Sequence, residues 1–216
     1  RDLLLARDDL PLSLRQRLVA SLANLLSAFV VERAWLGAER AREVTREALD
    51  RATLSLAEAG DDEGTADLVE HLVETRQLTP SLVLRALCTG HLLFLEEALT
   101  QLSGLSRSRV AGVVQGRSPQ AFHALYRRAG LPEGAYPAFQ AALDVVLETE
   151  IPDRMGARSH HARQVLERIL TRYARFATDE SDHLLLLLRR YADEAAREEA
   201  RRFAVALREG ELAGSA

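Results

Sequence analysis

Residues 79–105 read TPSLVLRALCTGHLLFLEEALTQLSGL. Apolar residues recur at steps of three and four on both sides of Gly90, which is a helical spacing. Thr79-Pro80 opens the first helix, with proline in its first turn. Gly104 sits where a helix closes. The stretch therefore predicts two short helices joined at Gly90 and closed at Gly104-Leu105. At an offset of 26 the pattern returns: Gly116, Ala124-Leu125 and Gly130-Leu131 stand in for Gly90, Ala98-Leu99 and Gly104-Leu105, and Val110 and Val113 for Leu84 and Leu87. Tyr136 and Phe139 extend the apolar match into a third, partial unit. Helical hairpins of this kind bury only part of their apolar face alone and need neighbours to complete it. The match rests on five identities, and coincidence is the alternative.

Helical periodicity continues in both directions. Leu14, Leu18, Leu22 and Leu25 predict a helix with a leucine stripe, capped by Asp9 with Pro11 in its first turn. A second helix is expected over 28–36, ending near Gly37. A third is expected over 38–59 with Val44, Ala48, Leu49, Ala52 and Leu56 on one face. The loop GDDEG (60–64) then leads to a helix over 66–76. After Glu150, IPDRMGARS reads as a linker, followed by helices over 157–177 and 181–208 and a frayed tail GELAGSA. No segment shows the β-branched alternation of a strand. The expected fold is all-α: stacked helical hairpins over 1–150, then an antiparallel helical hairpin over 151–216.

The 216 residues are 47% hydrophobic, enough for a real core. A single cysteine, Cys88, excludes an intrachain disulfide framework and fits a reducing cytoplasm. The longest apolar block, LLLLL at 184–188, is too short to span a membrane, and no membrane partner is expected. The N-terminal RDLLLARDDLP is not a signal peptide, since acids interrupt it; without an initiator Met, residue 1 is read as a boundary of a longer chain.

The net charge of −4 is unevenly spread. Seven acids and no Arg lie between Glu58 and Glu74, whereas 98–132 holds Arg107, Arg109, Arg117, Arg127 and Arg128 and no acid. In 154–177 six Arg stand against Glu167 alone; Arg154, Arg158, His161, Arg168, Arg172 and Arg175 fall on one side of the predicted helix. Its other side carries Val165, Leu166, Ile169, Leu170, Tyr173 and Phe176. A solvated face is the plain explanation of such a stripe, and docking of an acidic partner or phosphate the sharper one. Arg127 and Arg128 precede Gly130, where cations at a helix C-terminus offset the dipole by roughly 0.3–1 kcal/mol each. Capping explains them without a ligand.

Signatures of catalysis are missing. His160-His161 are adjacent and point about 100° apart on a helix, which serves a metal poorly. His91 and His123 read as turn and helix-surface positions. Cys88 lies in an apolar helix, where a thiol is inert. GxSxG, GxGxxG and P-loop patterns do not occur. The pairs Glu96-Glu97 and Glu198-Glu199 read as solvated faces. No catalytic residue, cofactor or metal is expected.

LARDDLPLSLRQRLVASLA, AREVTREALDRATLSLA, LTPSLVLRALCTGHLLFLEEALTQLSGL and ALYRRAGLPEGAYPAFQAALDVV together resemble a bacterial family, the domain-of-unknown-function family numbered 2336. The likeness covers most of the chain, and its last two motifs are the more specific. It implies HEAT-like stacked hairpins and supplies no activity, cofactor or catalytic residue. YRRAGLP looks like a family feature, so Arg127 and Arg128 are candidates for more than capping.

The expected function is a non-catalytic cytoplasmic scaffold that binds an unidentified protein. A homodimer through the C-terminal hairpin is a further expectation. The alternative is a regulator that binds a phosphate-bearing ligand, nucleotide or nucleic acid, through the arginines of 98–132 or of 154–175. Overall acidity and 5% aromatics argue against a dedicated nucleic-acid binder.

Overall fold

The computed structural model describes residues 10–149, 157–174 and 182–213. Among these the chain is all-α, with ten α-helices and no strand. The helices are α1 (Leu12–Glu32), α2 (Ala38–Ala59), α3 (Asp62–Glu74), α4 (Pro80–Cys88), α5 (Leu92–Ser103), α6 (Arg107–Gln115), α7 (Pro119–Arg128), α8 (Tyr136–Glu148), α9 (Ala157–Tyr173) and α10 (Asp182–Ala213). A single 3₁₀ turn, Glu133–Ala135, leads into α8.

The chain divides into two compact units, one of Arg1–Ala86 with His91–Val110, the other of Leu87–Gly90 with Ala111–Ala216. The expected boundary near 150 falls inside the second unit. In the first unit α1 packs on α2 and α3, and α3 on α5. In the second, α7 packs on α8, α8 on α9 and α9 on α10.

The N-terminal helices correct several expectations. α1 runs unbroken through Ala28, because no Gly or Pro interrupts Leu12–Glu32. It closes at Ala34, whose φ of 55° lets Trp35 N–H bond Val30 O at 3.0 Å and Ala34 N–H bond Val31 O at 2.9 Å. That pair of bonds is a Schellman closure. Pro11 stands at the N-cap, not inside the first turn, and Asp9 lies outside the described residues. The leucine stripe is not the buried line. Leu12, Gln16 and Ala20 are buried, while Leu14 and Leu25 are exposed. Gln16 is admitted because its Nε2 donates to Gln77 Oε1 at 2.8 Å. On α2 the buried positions are Ala41, Asp50, Thr53, Leu54 and Ala57, and Val44 is exposed.

GDDEG is a cap rather than a loop. Asp61 accepts from Gly64 N–H at 2.8 Å, so α3 starts at Asp62, four residues early. Asp62 and Glu63 then occupy its first turn, where the positive end of the helix dipole favours acids. The C-terminal tail also differs: α10 extends through Ala213, so residues 210–213 are helical.

The hairpins of 79–131 are as the spacing predicts, with one slip. Thr79 Oγ1 accepts from Leu82 N–H to open α4, and Ser118 Oγ from Ala121 N–H to open α7. Gly104 and Gly130 both adopt the left-handed conformation, at φ 67° and 69°. At the joint, Gly90 takes φ 80° in the first hairpin, but in the second it is Arg117, not Gly116, that takes φ 53°. The turn therefore falls one residue later than the glycine match implies.

Helix α5 is buried on every side: Phe94, Leu95, Glu96, Glu97, Ala98 and Leu99 are all buried. The pair Glu96-Glu97 is thus no solvated face. α9 buries Val165, Leu166, Ile169 and Tyr173 as its pattern predicts, and α10 meets it with Leu188 and Tyr191.

Candidate functional site

Of the arginines singled out in the sequence, Arg107, Arg117, Arg168 and Arg172 bond to groups within the protein. Arg107, the first residue of α6, pairs through Nε with Oε1 of buried Glu97. Burial pushes the Glu97 carboxyl above its ordinary value, an effect that Arg107 opposes and that Glu96 and Asp62 reinforce. Arg117 Nη2 donates to Leu147 O at 2.6 Å. Arg168 donates through Nη1 to Thr149 Oγ1 at 2.7 Å and through Nη2 to Glu148 Oε2 at 3.1 Å. Arg172 holds both oxygens of Glu148.

Three guanidiniums thus surround the last turn of α8, where unpaired carbonyls and the dipole's negative end attract cations. Glu148 adds its own charge there. Its hydrogen bond to Arg172 holds its carboxyl below the usual range; desolvation opposes this, and the charges of Arg172, Arg168 and Arg117 add to the lowering. The predicted basic face of α9 is in this part an intramolecular clamp. Arg163 on the same helix engages Glu167 at 2.9 Å and Glu199 of α10 at 3.5 Å.

Arg109 is exposed on α6. Arg127 and Arg128 are exposed in the last turn of α7, immediately before the Ala129-Gly130 closure, where the sequence places them. The side chain of Arg158 and all of Arg154 and Arg175 lie outside the described residues, as do the side chains of His160 and His161.

The neighbours of Arg127 and Arg128 form an aromatic cluster. Phe122, Tyr126, Tyr136 and Phe139 stack edge-on or tilted, with Tyr126 and Phe139 centroids 5.1 Å apart. The Tyr126 hydroxyl donates to Pro132 O at 2.6 Å, and Tyr136 reaches Pro119 O at 3.0 Å. His123 Nε2 lies 2.7 Å from Glu133 Oε1 and its ring stacks on Tyr136 at 4.2 Å. Burial raises the Tyr126 hydroxyl pKa, with Glu133 adding to the shift. PEGAYPAF therefore locks the turn between α7 and α8.

The feature that the sequence did not announce is the tip of the α1–α2 hairpin. Leu25 is 53% exposed, Leu26 56%, Phe29 43%, Trp35 68% and Leu36 38%. Phe29 and Trp35 meet edge to face at 5.7 Å, and the Arg33 guanidinium lies 5.2 Å from the Phe29 ring centre. The uncharged run Leu18–Val31 was the available signal, but the assumed break at Ala28 divided it. The longest uninterrupted apolar block, LLLLL at 184–188, is not the segment nearest to a membrane span: α1, 21 residues long, is long and apolar enough to cross one by length and composition, with a mean hydropathy of 1.2 and 11% of that window buried. Among the described residues it alone has that length and composition. Beside the tip, Gly37, Ala38, Glu39, Arg40, Glu43 and Arg46 line a shallow hollow of about 680 Å³.

Among the described residues no three His, Cys, Asp or Glu side chains are grouped to hold a metal ion. Cys88 is buried and forms no disulfide among the described residues.

No curated protein and no solved structure matches the chain. Residues 1–179 match the family described as an uncharacterised protein conserved in bacteria (DUF2336). With most of its length matched, the chain belongs to that family.

Proposed function

We propose that the chain is a non-catalytic helical-repeat scaffold that binds another protein. It works in the cytoplasm, where the buried Cys88 thiol stays reduced. The observation that carries this is the exposed tip of α1–α2, with Trp35 held by Phe29 and by the closure at Ala34 yet largely open to solvent. A rigid exposed aromatic is the usual anchor of a protein interface. Stacked hairpins of the HEAT kind offer extended surfaces beside such an anchor. Leu186, Phe203 and Val205, exposed on α10, are where association through the C-terminal hairpin would occur.

The test is affinity capture from the native bacterial host with three proteins: wild type, Leu26→Glu/Phe29→Glu and Arg127→Glu/Arg128→Glu, each checked for helicity. Loss of a bound protein from the tip variant is expected. Identical captures from all three would remove the docking role.

A second reading is favoured by the convergence of Arg117, Arg168 and Arg172 on the end of α8. Three guanidiniums around one carboxylate could hold the phosphate of a ligand in its place. Under that reading wild type gives a thermal shift with inorganic phosphate or nucleotides that Arg168→Ala/Arg172→Ala loses. A flat response in both proteins excludes it.

A further inference from the structure

From the tip of the α1–α2 hairpin we infer that this surface docks on a second copy of the same chain, tip to tip across a twofold axis. The inference rests on the scaffold reading and names the occupant of its anchor.

Area is the first argument. Leu25, Leu26, Phe29, Trp35 and Leu36 fall within one short stretch, and their exposed surface is on the order of 500 Å². That lies at the upper end of the roughly 300–600 Å² found for the largest apolar patch on a monomer. A stable interface buries about 800 Å² per partner, so the patch supplies the larger part of that area and the polar rim has to supply the rest.

Charge chooses the occupant. Residues 32–47 carry Glu32, Glu39, Glu43 and Glu47 against Arg33, Arg40, Arg42 and Arg46, a net charge of zero. An anionic lipid surface or an acidic partner would call for a cationic rim. A rim of equal and interleaved signs complements itself, which an isologous interface requires.

Shape agrees with charge. Trp35, largely exposed, stands two residues before Gly37, the first of the residues Gly37, Ala38, Glu39, Arg40, Glu43 and Arg46 that line the hollow. A twofold axis between projection and hollow places each copy's indole in the other's hollow. There Arg40 and Arg46 supply guanidiniums for its face. The exposed apolar residues of α10 form no such patch: Leu186 and Phe203 are 17 positions apart, about 25 Å along the helix at 1.5 Å per residue.

Trp35 is the chain's sole tryptophan, so its emission reads the surface directly. The experiment pairs sedimentation equilibrium with intrinsic fluorescence over a concentration series of the full chain. A dimer is expected, with a blue shift of emission that follows dimer formation. Leu26→Glu/Phe29→Glu, at exposed positions, is expected to weaken it at least about 30-fold, as loss of a hot spot does, with unchanged helicity. Arg46→Glu is a milder second variant, expected to weaken the dimer without touching the apolar residues. A dimer indifferent to both variants would place the contact elsewhere and overturn the inference. So would a monomer at every concentration. If that monomer shifts blue on vesicles of phosphatidylcholine with phosphatidylglycerol, the occupant is lipid. If it loses a captured host protein in the tip variant, self-association fails and the scaffold reading stands; if it does neither, both fall.

Discussion

The Arg172 guanidinium lies across the Glu148 carboxylate, Nη1 2.9 Å from Oε1 and Nη2 3.1 Å from Oε2. Such a two-point contact depends on the planar fork of arginine and not on charge alone. Arg172→Lys should therefore recover only part of what Arg172→Ala loses. Because the pair is more than a third exposed, the whole effect is at most about 1 kcal/mol, measured by urea unfolding at neutral pH.

Glu148 also sets a pH signature. Its folded pKa is depressed from 4.5, so its stabilisation is present above that value and is lost as pH falls through the lower folded pKa. Glu148→Gln should be less stable than wild type at pH 7, with the gap closing in acid. A gap that is constant with pH would mean the carboxylate's charge contributes nothing.

Glu97 should behave in the opposite sense. Burial raises its folded pKa above 4.5, so the contribution of its neutral form is full below 4.5 and falls away as pH rises through the folded value. The stability of wild type relative to Glu97→Gln should therefore drop across the interval above pH 4.5. Paired urea titrations at several pH values would show it, and a rising difference would contradict the assignment.

Tyr126→Phe should destabilise by about 1 kcal/mol, the worth of a buried hydrogen bond whose acceptor is left unpaired. The acceptor is Pro132 O, and the ring packing against Phe139 survives the change. A thermal melt that does not move would mean water replaces the hydroxyl.

Gly104→Ala and Gly130→Ala test the two helix closures. A Cβ at either position meets nothing within 4 Å, so only the left-handed backbone resists it. Each should cost about 1–2 kcal/mol, and similar values at both sites would mark the two closures as equivalent.

Local chemistry was legible in the sequence. Thr79, Gly104 and Gly130 act where their side chains, or the lack of one, require. The apolar side of α9 was equally clear, since Val165, Leu166, Ile169 and Tyr173 are buried. Burial on α1 and α5 was not. A helix enclosed on every side has no stripe, so Glu96 and Glu97 looked like solvent positions. A helix of leucines has too many candidate stripes, and Gln16 was chosen over Leu14 by a partner 61 residues away. For the arginines, sequence displays charge, but Arg168 and Arg172 find the Glu148 carboxylate, and Arg117 the Leu147 carbonyl, through folding. Exposure of Trp35 depends on what no other helix covers, which no local pattern encodes.

The order of packing has a kinetic consequence. α1 meets α2 and α3, α3 meets α5, and the chain from α7 to α10 pairs each helix with the next. Among the described residues the larger helix contacts join helices that are next or next but one in the chain, so loop-closure entropy is spent in small steps. Helices can settle on one another in the order in which they leave the ribosome, and refolding from urea should be fast for a chain of this length.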